Sequence, residues 1–282
     1  MTQQNQIKHI TTKDFSVSGE SFDLYLDEEF QFLKTTPKPS LEKLPSYYHS
    51  EDYISHTDSN KTLLEKIYQI ARKYALGKKR RLIEKHFSKK SLLDIGCGTG
   101  DFLLEMKNHG WQVTGYEPES KAKQIAVQKG VAVTEDLNQL PEQSFDVITL
   151  WHVLEHVPNL QEQLQQLKRL LKPKGLIIIA VPNFKSFDAH YYQEFWAAYD
   201  VPRHLWHFSK NSIRLLFAKN DFKVVQILPM YLDSFYVSLL SEKYKTGKTN
   251  FIKAFAVGLY ANLKGMQTQE FSSQIYLIKN RN

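Results

Sequence analysis

The stretch Ser91-Leu-Leu-Asp-Ile-Gly-Cys-Gly-Thr-Gly-Asp101 constrains this chain more than any other. An apolar run ends on Asp94, glycines alternate at Gly96, Gly98 and Gly100, and a helical pattern opens near Asp101. The order reads as a strand, a tight turn and a helix N-terminus. Glycines there let the backbone approach a ligand closely, and the helix start points free amides at it. A β–α turn built only for packing has the same local pattern. The functional reading therefore rests on two acids further along the chain: Glu117 ends the next strand and Asp146 opens another.

From this stretch onward apolar runs alternate with helical patterns. Residues 92–95, 113–116, 131–133, 145–151 and 176–181 read as strands, and 102–109, 120–129 and 160–171 as the helices between them. An aromatic insert, about 183–208, interrupts the series after Pro182. A helix at 209–219 and a strand at 222–228 resume it. A second insert, about 229–270, precedes a last strand at 273–278. Buried apolar strands alternating with helices predict an α/β fold: a doubly wound, mostly parallel, seven-stranded sheet with helices on both faces. Ligands collect beyond the strand C-termini of such a sheet, at its switch point.

Residues 1–60 read as a polar, aromatic-sprinkled extension and 61–282 as the main domain. Pro37, Pro39 and Pro45 mark extended or turn structure, and three tyrosines and two histidines crowd 46–56, read as an aromatic arm packed on the core. A long helix is predicted over 61–87, with Leu63, Leu64, Ile67, Ile70, Ala71 and Tyr74 on one face. The charge run Lys78-Lys-Arg-Arg81 at its end reads as a solvated face.

At 282 residues, 42% hydrophobic and 24% charged, the chain can bury one sizeable core plus appendages. Its formal charge of +7 permits anionic partners without requiring them. The lone cysteine, Cys97, excludes an internal disulfide framework and a multi-cysteine metal site, and reads as a small packing residue between two glycines. The first ten residues lack the apolar core of a secretory signal, and no run reaches 18 apolar residues, so a cytoplasmic location is expected.

Glu117 follows Gly96 at about the 20-residue offset at which a strand-end acid meets ribose hydroxyls in dinucleotide folds. Asp94 points elsewhere: an acid there suits the amino group of a methionyl moiety and repels a pyrophosphate. The spacing Gly96-x-Gly98-x-Gly100 also departs from the dinucleotide fingerprint, which leaves NAD(P) as the runner-up cofactor. Leu92-Leu-Asp-Ile-Gly-Cys-Gly-Thr-Gly100, Gly115-Tyr-Glu117-Pro118, Phe145-Asp-Val-Ile-Thr-Leu-Trp-His-Val-Leu-Glu-His156 and Leu170-Leu-Lys-Pro-Lys-Gly-Leu176 succeed one another in that order. Together they resemble the motifs of class I S-adenosylmethionine (SAM)-dependent methyltransferases, over about 90–182. The resemblance implies a Rossmann-like fold, SAM as cofactor and S-adenosylhomocysteine as product. It places the cofactor on Asp94, Gly96, Cys97, Gly98, Gly100, Glu117 and Pro118. It also implies Asp136 and Leu137 at the adenine, with Glu135 as an alternative, and Trp151 or His152 beside the methionine part.

Methyl transfer needs an aligned nucleophile, exclusion of water and a place for a proton. In Phe195-Trp-Ala-Ala-Tyr-Asp-Val-Pro-Arg-His-Leu-Trp-His-Phe208, Arg203 offers a planar fork and His204 a general base, with His207 in reserve. Phe195, Trp196, Tyr199 and Trp206 are candidate walls for an acceptor. A buried corner in which Arg203 pairs with Asp200 is the alternative. A similar pattern occurs in bacterial relatives that resemble ubiquinone-pathway and polysaccharide-cluster methyltransferases. His152 is a third catalytic candidate. His152 and His156 lie four apart, but no Glu-rich or Cys-rich set accompanies them, so no metal is expected. The second insert reads as a helical cap over the acceptor pocket, with a membrane or dimer surface at about 230–265 as alternatives. The expected reaction is methylation of an O or N nucleophile on a small aromatic, lipid-linked or saccharide acceptor. RNA or protein as acceptor is the alternative, against which no RNA module appears; a non-catalytic scaffold is the third reading. The sequence leaves monomer or homodimer open.

Overall fold

The computed structural model describes residues 7–40, 42–48 and 63–281, with side chains of the first helix from Lys73 on. Strand β4 (Ser91–Ile95) lies inside the sheet, parallel to a neighbour on each side, β5 (Gln112–Tyr116) and β7 (Phe145–Trp151). Beyond β5 lies the short β6 (Val133–Thr134). Beyond β7 come β8 (Leu171–Pro182), β11 (Ser273–Asn280) and β10 (Phe222–Pro229). The seven-stranded order is β10-β11-β8-β7-β4-β5-β6, with only β11 antiparallel to its neighbours. The expected sheet is the observed one.

Both faces of this sheet are buried, and alternate residues show it. Leu92, Val147 and Ile178 face α2 (Asp101–Asn108) through Phe102, Leu103 and Met106. Leu93, Ile148 and Ile179 face the other way, into a cluster with Leu164 and Leu167 of α4 (Leu160–Leu170) and Ile213 and Leu216 of α6 (Lys210–Ala218). Helix α1 (Leu63–Glu84) adds Ile83 to the first cluster, and α3 (Ser120–Gln128) buries Ala126. Two of the helices are capped by side-chain acceptors: Glu119 accepts from the amides of Lys121 and Ala122, and Asn159 from that of Glu162.

The N-terminal segment departs from expectation. Instead of loose extended structure, 7–36 forms a meander of β1 (Ile7–Lys13), β2 (Ser21–Leu26) and β3 (Leu33–Thr36). Strand β9 (Trp206–His207), from the first insert, completes this antiparallel sheet by pairing with β3. Its inner face, Phe22, Leu24 and Leu33, packs with Tyr47 and with Trp196, Tyr199 and Val201. The alternation in Ser21-Phe-Asp-Leu-Tyr-Leu26 was the available signal. The crowded stretch at 49–56 lies outside the described residues.

Between β8 and β9 a short helix α5 (Phe187–Tyr192) and two 3-10 turns carry the aromatic insert. The second insert is a helical hairpin, α7 (Asp233–Thr246) and α8 (Phe251–Thr268). Small residues join its arms: Ser234 Oγ donates to Gly258 O at 3.0 Å, and a Cβ on Gly258 would lie 2.8 Å from Phe235. Helix α8 leaves Ile252, Phe255, Leu259, Leu263 and Met266 exposed. No helix among the described residues is long and apolar enough to cross a membrane.

Arg203 ties the N-terminal segment to the aromatic insert. It is buried, and its guanidinium donates to Asp14 Oδ1 at 3.0 Å, Asp200 Oδ1 at 2.7 Å, Ser16 Oγ and Tyr47 O. Removing one partner of such a group strands the others as uncompensated buried charge, at about 3–5 kcal/mol. Arg203→Leu is expected to lose roughly that much stability in urea titration, while Lys34→Ala, which breaks a pair with Asp27 at the surface, loses under about 1 kcal/mol. Equal, small losses would show that the buried network does not hold the N-terminal segment to the insert.

Candidate active site

The glycine turn after β4 has two tight sides and one open side. Gly96, Gly98 and Gly100 all have positive φ, at 70°, 53° and 77°. A Cβ on Gly96 would lie 2.5 Å from Val153, and one on Gly100 would lie 2.8 Å from Ala126 of α3. Gly98 differs: a Cβ there would meet nothing within 4 Å. The turn is thus pressed against β7's exit and α3, while its middle residue faces open space.

Two buried carboxylates flank this turn, one before it and one bonded to it. Asp94, at the end of β4, accepts from Thr149 Oγ1 at 2.6 Å. Burial pushes its carboxyl up to about 7; the Thr149 bond and the Lys79 ammonium oppose the rise, and Glu117 adds to it. Glu117, after β5, accepts the Gly98 amide at 2.8 Å and the Glu119 amide at 3.0 Å. It therefore clasps the turn itself. Cys97 packs beneath, its sulfur 2.6 Å from where a Gly115 Cβ would stand, and burial drives the thiol up to about 12. It is a packing residue with no thiolate to offer.

The other expected residues fall into place unevenly. Pro118 is exposed, and Leu137 belongs to the core. Asp136 Oδ1 caps the turn Leu137–Gln139 through the Asn138 amide at 2.8 Å, while Glu135 is exposed and paired with Lys123. Trp151, at the end of β7, stands edge-on to Phe102 with ring centroids 5.7 Å apart. Lys79 Nζ lies over its indole, 4.3 Å from the centroid. This corrects the reading of 78–81 as wholly solvated: burial lowers the Lys79 pKa, and Asp94 and Asp233 oppose the shift. Periodicity gave no hint of it, since which side of a helix end turns inward depends on the sheet beneath it.

His152 has positive φ, 57°, and stands between two acids: Nε2 is 3.2 Å from Asp233 Oδ2 of α7, and Nδ1 is 3.4 Å from Glu155 Oε1. Burial alone would lower its pKa, but pairing with Asp233 and then Glu155 outweighs it and pushes the ring up to about 10. It is a cation at neutral pH. His204 keeps its Nδ1 on Ala198 O at 2.9 Å, and its ring meets that of His156 edge-on at 4.5 Å. Glu155, His156 and His204 each offer one ligand atom within 4.8 Å of the others. Local spacing offered His156 no such companions; the fold brings one from a distant segment. Sequence reasoning missed Glu155, which stands beside His156 in the same motif, and Asp233, which no local pattern singles out.

Three acceptor-side expectations are corrected. Arg203 is engaged with the protein's own carboxylates and carbonyl, so its fork serves the fold. Trp196 and Tyr199 are core residues, Trp196 Nε1 donating to Asp188 Oδ2 at 2.8 Å. His207, the reserve base, lies buried in β9 with Nε2 3.0 Å from Thr35 Oγ1. Burial holds it well below the usual histidine range.

This architecture places the chain in a known class. A family profile described as a methyltransferase domain matches residues 49–227, and the chain belongs to that family. It is similar to a ubiquinone biosynthesis O-methyltransferase of Haemophilus ducreyi, 36% identical over 108 residues, covering 33% of this chain and 46% of that protein. The counterpart of Yersinia pestis (strain Pestoides F) is 35% identical over 104 residues, covering 33% and 43%. The match spans less than half the length of these relatives. Among solved structures, a SAM-dependent methyltransferase from Archaeoglobus fulgidus aligns with TM-score 0.52 and 18% identity, over 79% of this chain and all of that one. Magnesium protoporphyrin IX methyltransferase from Synechocystis PCC 6803 aligns with TM-score 0.54 and 15% identity, over 86% and 100%. These likenesses concern the fold.

The raised pKa of Asp94 makes stability depend on pH. A carboxyl that ionises near pH 7 when folded and near 3.8 when unfolded binds the extra proton in the folded state. Its contribution is complete below about pH 4 and is lost as pH rises through about 7. Urea titrations should show stability falling across that window by up to a few kcal/mol, and Asp94→Asn should flatten this slope. An unchanged slope in the variant would assign the titration to another group.

Proposed function

We propose that the chain binds SAM in the crevice beyond β4, β5 and β7 and transfers its methyl group to an O or N nucleophile of a small acceptor. One observation carries the reading: Gly98 faces open space in a turn that follows the buried Asp94 and whose amide the buried Glu117 holds. The residues suit this cofactor. Its amino-acid end is a zwitterion, and Asp94 supplies a buried acid with the Lys79 amine within electrostatic reach. Glu117 holds the turn with one lone pair on each oxygen, which leaves others for ribose hydroxyls. Trp151 and Phe102 give an apolar wall beside the same end. A dinucleotide fits worse, because its pyrophosphate would stand against Asp94.

SAM supplies an electrophilic methyl on a sulfonium; the rest falls to the chain. The wall of Trp151 and Phe102 excludes water from the crevice. His152, already protonated and held by Asp233 and Glu155, orients the end of β7 and links it to α7. A proton leaving an O–H or N–H acceptor cannot go to His152 or Arg203. The Glu155, His156 and His204 cluster is the proton-handling group next to them. The kinship with ubiquinone biosynthesis O-methyltransferases supports a small aromatic or otherwise apolar acceptor.

Thermal melts with SAM, S-adenosylhomocysteine and NADH in parallel test the cofactor. Either adenosyl ligand at about 100 times its dissociation constant should add roughly 2.7 kcal/mol, and NADH nothing. Because a cationic ligand favours ionised Asp94, calorimetry in buffers of different ionisation enthalpy should register about half a proton released near pH 7. Asp94→Asn should abolish that release and weaken SAM at least about tenfold. Stabilisation by NADH alone, or SAM binding unchanged in both Asp94→Asn and Glu117→Gln, would overturn the assignment.

A further inference from the structure

Glu155 stands in the interior with its charge poorly met. It is 1% exposed, and neither side-chain oxygen has a hydrogen-bond partner among the described residues. Its nearest cation, His152 Nδ1 at 3.4 Å, makes an ion-pair contact without hydrogen-bond geometry. A carboxylate in such a place is costly unless something positive meets it.

The two histidines beside it are prepared in one particular way. His156 Nδ1 lies 3.1 Å from Arg203 O, and His204 Nδ1 lies 2.9 Å from Ala198 O. A carbonyl oxygen only accepts, so each Nδ1 carries a hydrogen, and in the neutral ring Nε2 then offers its lone pair; His156 Nδ1 also lies 3.2 Å from Tyr48 OH. Backbone carbonyls that orient imidazoles through the remote nitrogen are the usual outer partners of metal-bound histidines. The frame is stiff: the amides of Leu205 and Trp206 both donate to Glu155 O, at 2.8 and 3.2 Å, which locks the turn after β7 to the segment carrying His204. Asp200 Oδ2, 3.9 Å from His204 Nε2, adds a second acid at the rim.

We infer that Glu155, His156 and His204 form a binding site for one divalent transition-metal ion. The donor set decides the class. One carboxylate oxygen and two neutral imidazoles favour zinc, manganese, cobalt or nickel over magnesium or calcium, which prefer all-oxygen sites. Three protein ligands leave coordination positions open. Ligand atoms within 4.8 Å of one another close on an ion at about 2.0–2.2 Å by small side-chain rotations. The site lies next to His152 at the end of β7, on the acceptor side of the proposed methyl-transfer centre. The binding itself does not depend on that reading.

The test uses the full chain, stripped with a chelator and without SAM or acceptor, so that it fails independently of the methyltransferase assignment. Zn²⁺, Mn²⁺, Co²⁺ and Mg²⁺ are titrated singly by calorimetry, with melting temperature and the Co²⁺ visible spectrum as further readouts. One equivalent of Zn²⁺ or Co²⁺ is expected to bind saturably and raise the melting temperature, with Mg²⁺ far weaker. Glu155→Gln, which keeps the side chain's shape, and His204→Ala should each lower the affinity at least about tenfold and change the Co²⁺ spectrum. His190→Ala, at an exposed histidine, should do neither. Should Glu155→Gln not fold, the wild-type titration and His204→Ala still decide. No saturable binding at one equivalent, or binding that survives both substitutions, would overturn the site and leave a charge-paired imidazolium beside Glu155.

Discussion

The turn between β4 and α2 depends on the absence of two methyl-sized groups. Gly96 abuts Val153 and Gly100 abuts Ala126 so closely that a Cβ at either would collide. Those contacts do more than permit the turn. They press the loop after β4 against the exit of β7 on one side and against α3 on the other, so the crevice has set width. Val153 begins the segment Val153-Leu-Glu-His156, and the same contact therefore locates the histidine–carboxylate cluster relative to Gly98. The glycine turn and the segment after β7 are held in register by the missing side chains.

Along this edge three buried carboxylates meet the cost of desolvation in three different ways. Asp94 keeps a proton over much of the neutral range, with Thr149 on one oxygen. Glu117 stays among backbone amides, taking those of Gly98 and Glu119. Glu155 has neither a held proton nor an amide, and relies on histidines: His152, then His204 and His156, favour its charged form against burial. In a medium of low polarity such differences decide which group meets a cation, which meets hydroxyls and which meets a metal or proton. On the proposed function, Glu117, Asp94 and Glu155 stand in that order from the ribose of the cofactor to the acceptor.

The central sheet was legible because its signal is local. Runs such as Leu-Ile-Ile-Ile-Ala-Val at 176–181 are apolar on both faces, which only a covered strand tolerates, and the glycine turn carries its own geometry. What failed was everything decided by distant pairing. Strand β9 is two residues long and exists only because β3, from the far N-terminal part of the chain, lies beside it. Arg203 read first as a free fork, with a buried pairing to Asp200 as the alternative; the pairing is present, and its other partner Asp14, at the far end of the chain, could not be foreseen. Lys79 read as solvated because a helix's charge run has no visible inward direction until the sheet beneath it is known. His204 and Glu155 each stand in a recognisable motif, but their meeting is a property of the fold.

The N-terminal sheet consequently packs on the segment that carries His204. β3 pairs with β9, Thr35 Oγ1 donates to His204 O at 2.6 Å, and Arg203 draws Asp14 and Tyr47 onto the same segment. Each contact falls on 203–207, the stretch that carries His204 to Glu155. From the opposite direction α7 sends Asp233 to His152. Two inserts and a meander outside the main sheet thus converge on one turn after β7, while the cofactor crevice is built from the sheet's own strands. Variation in the appended parts can move the acceptor groups without disturbing Asp94, Gly98 or Glu117, because no appended strand pairs with β4 or β5. Physically, this division lets one cofactor frame serve different acceptors.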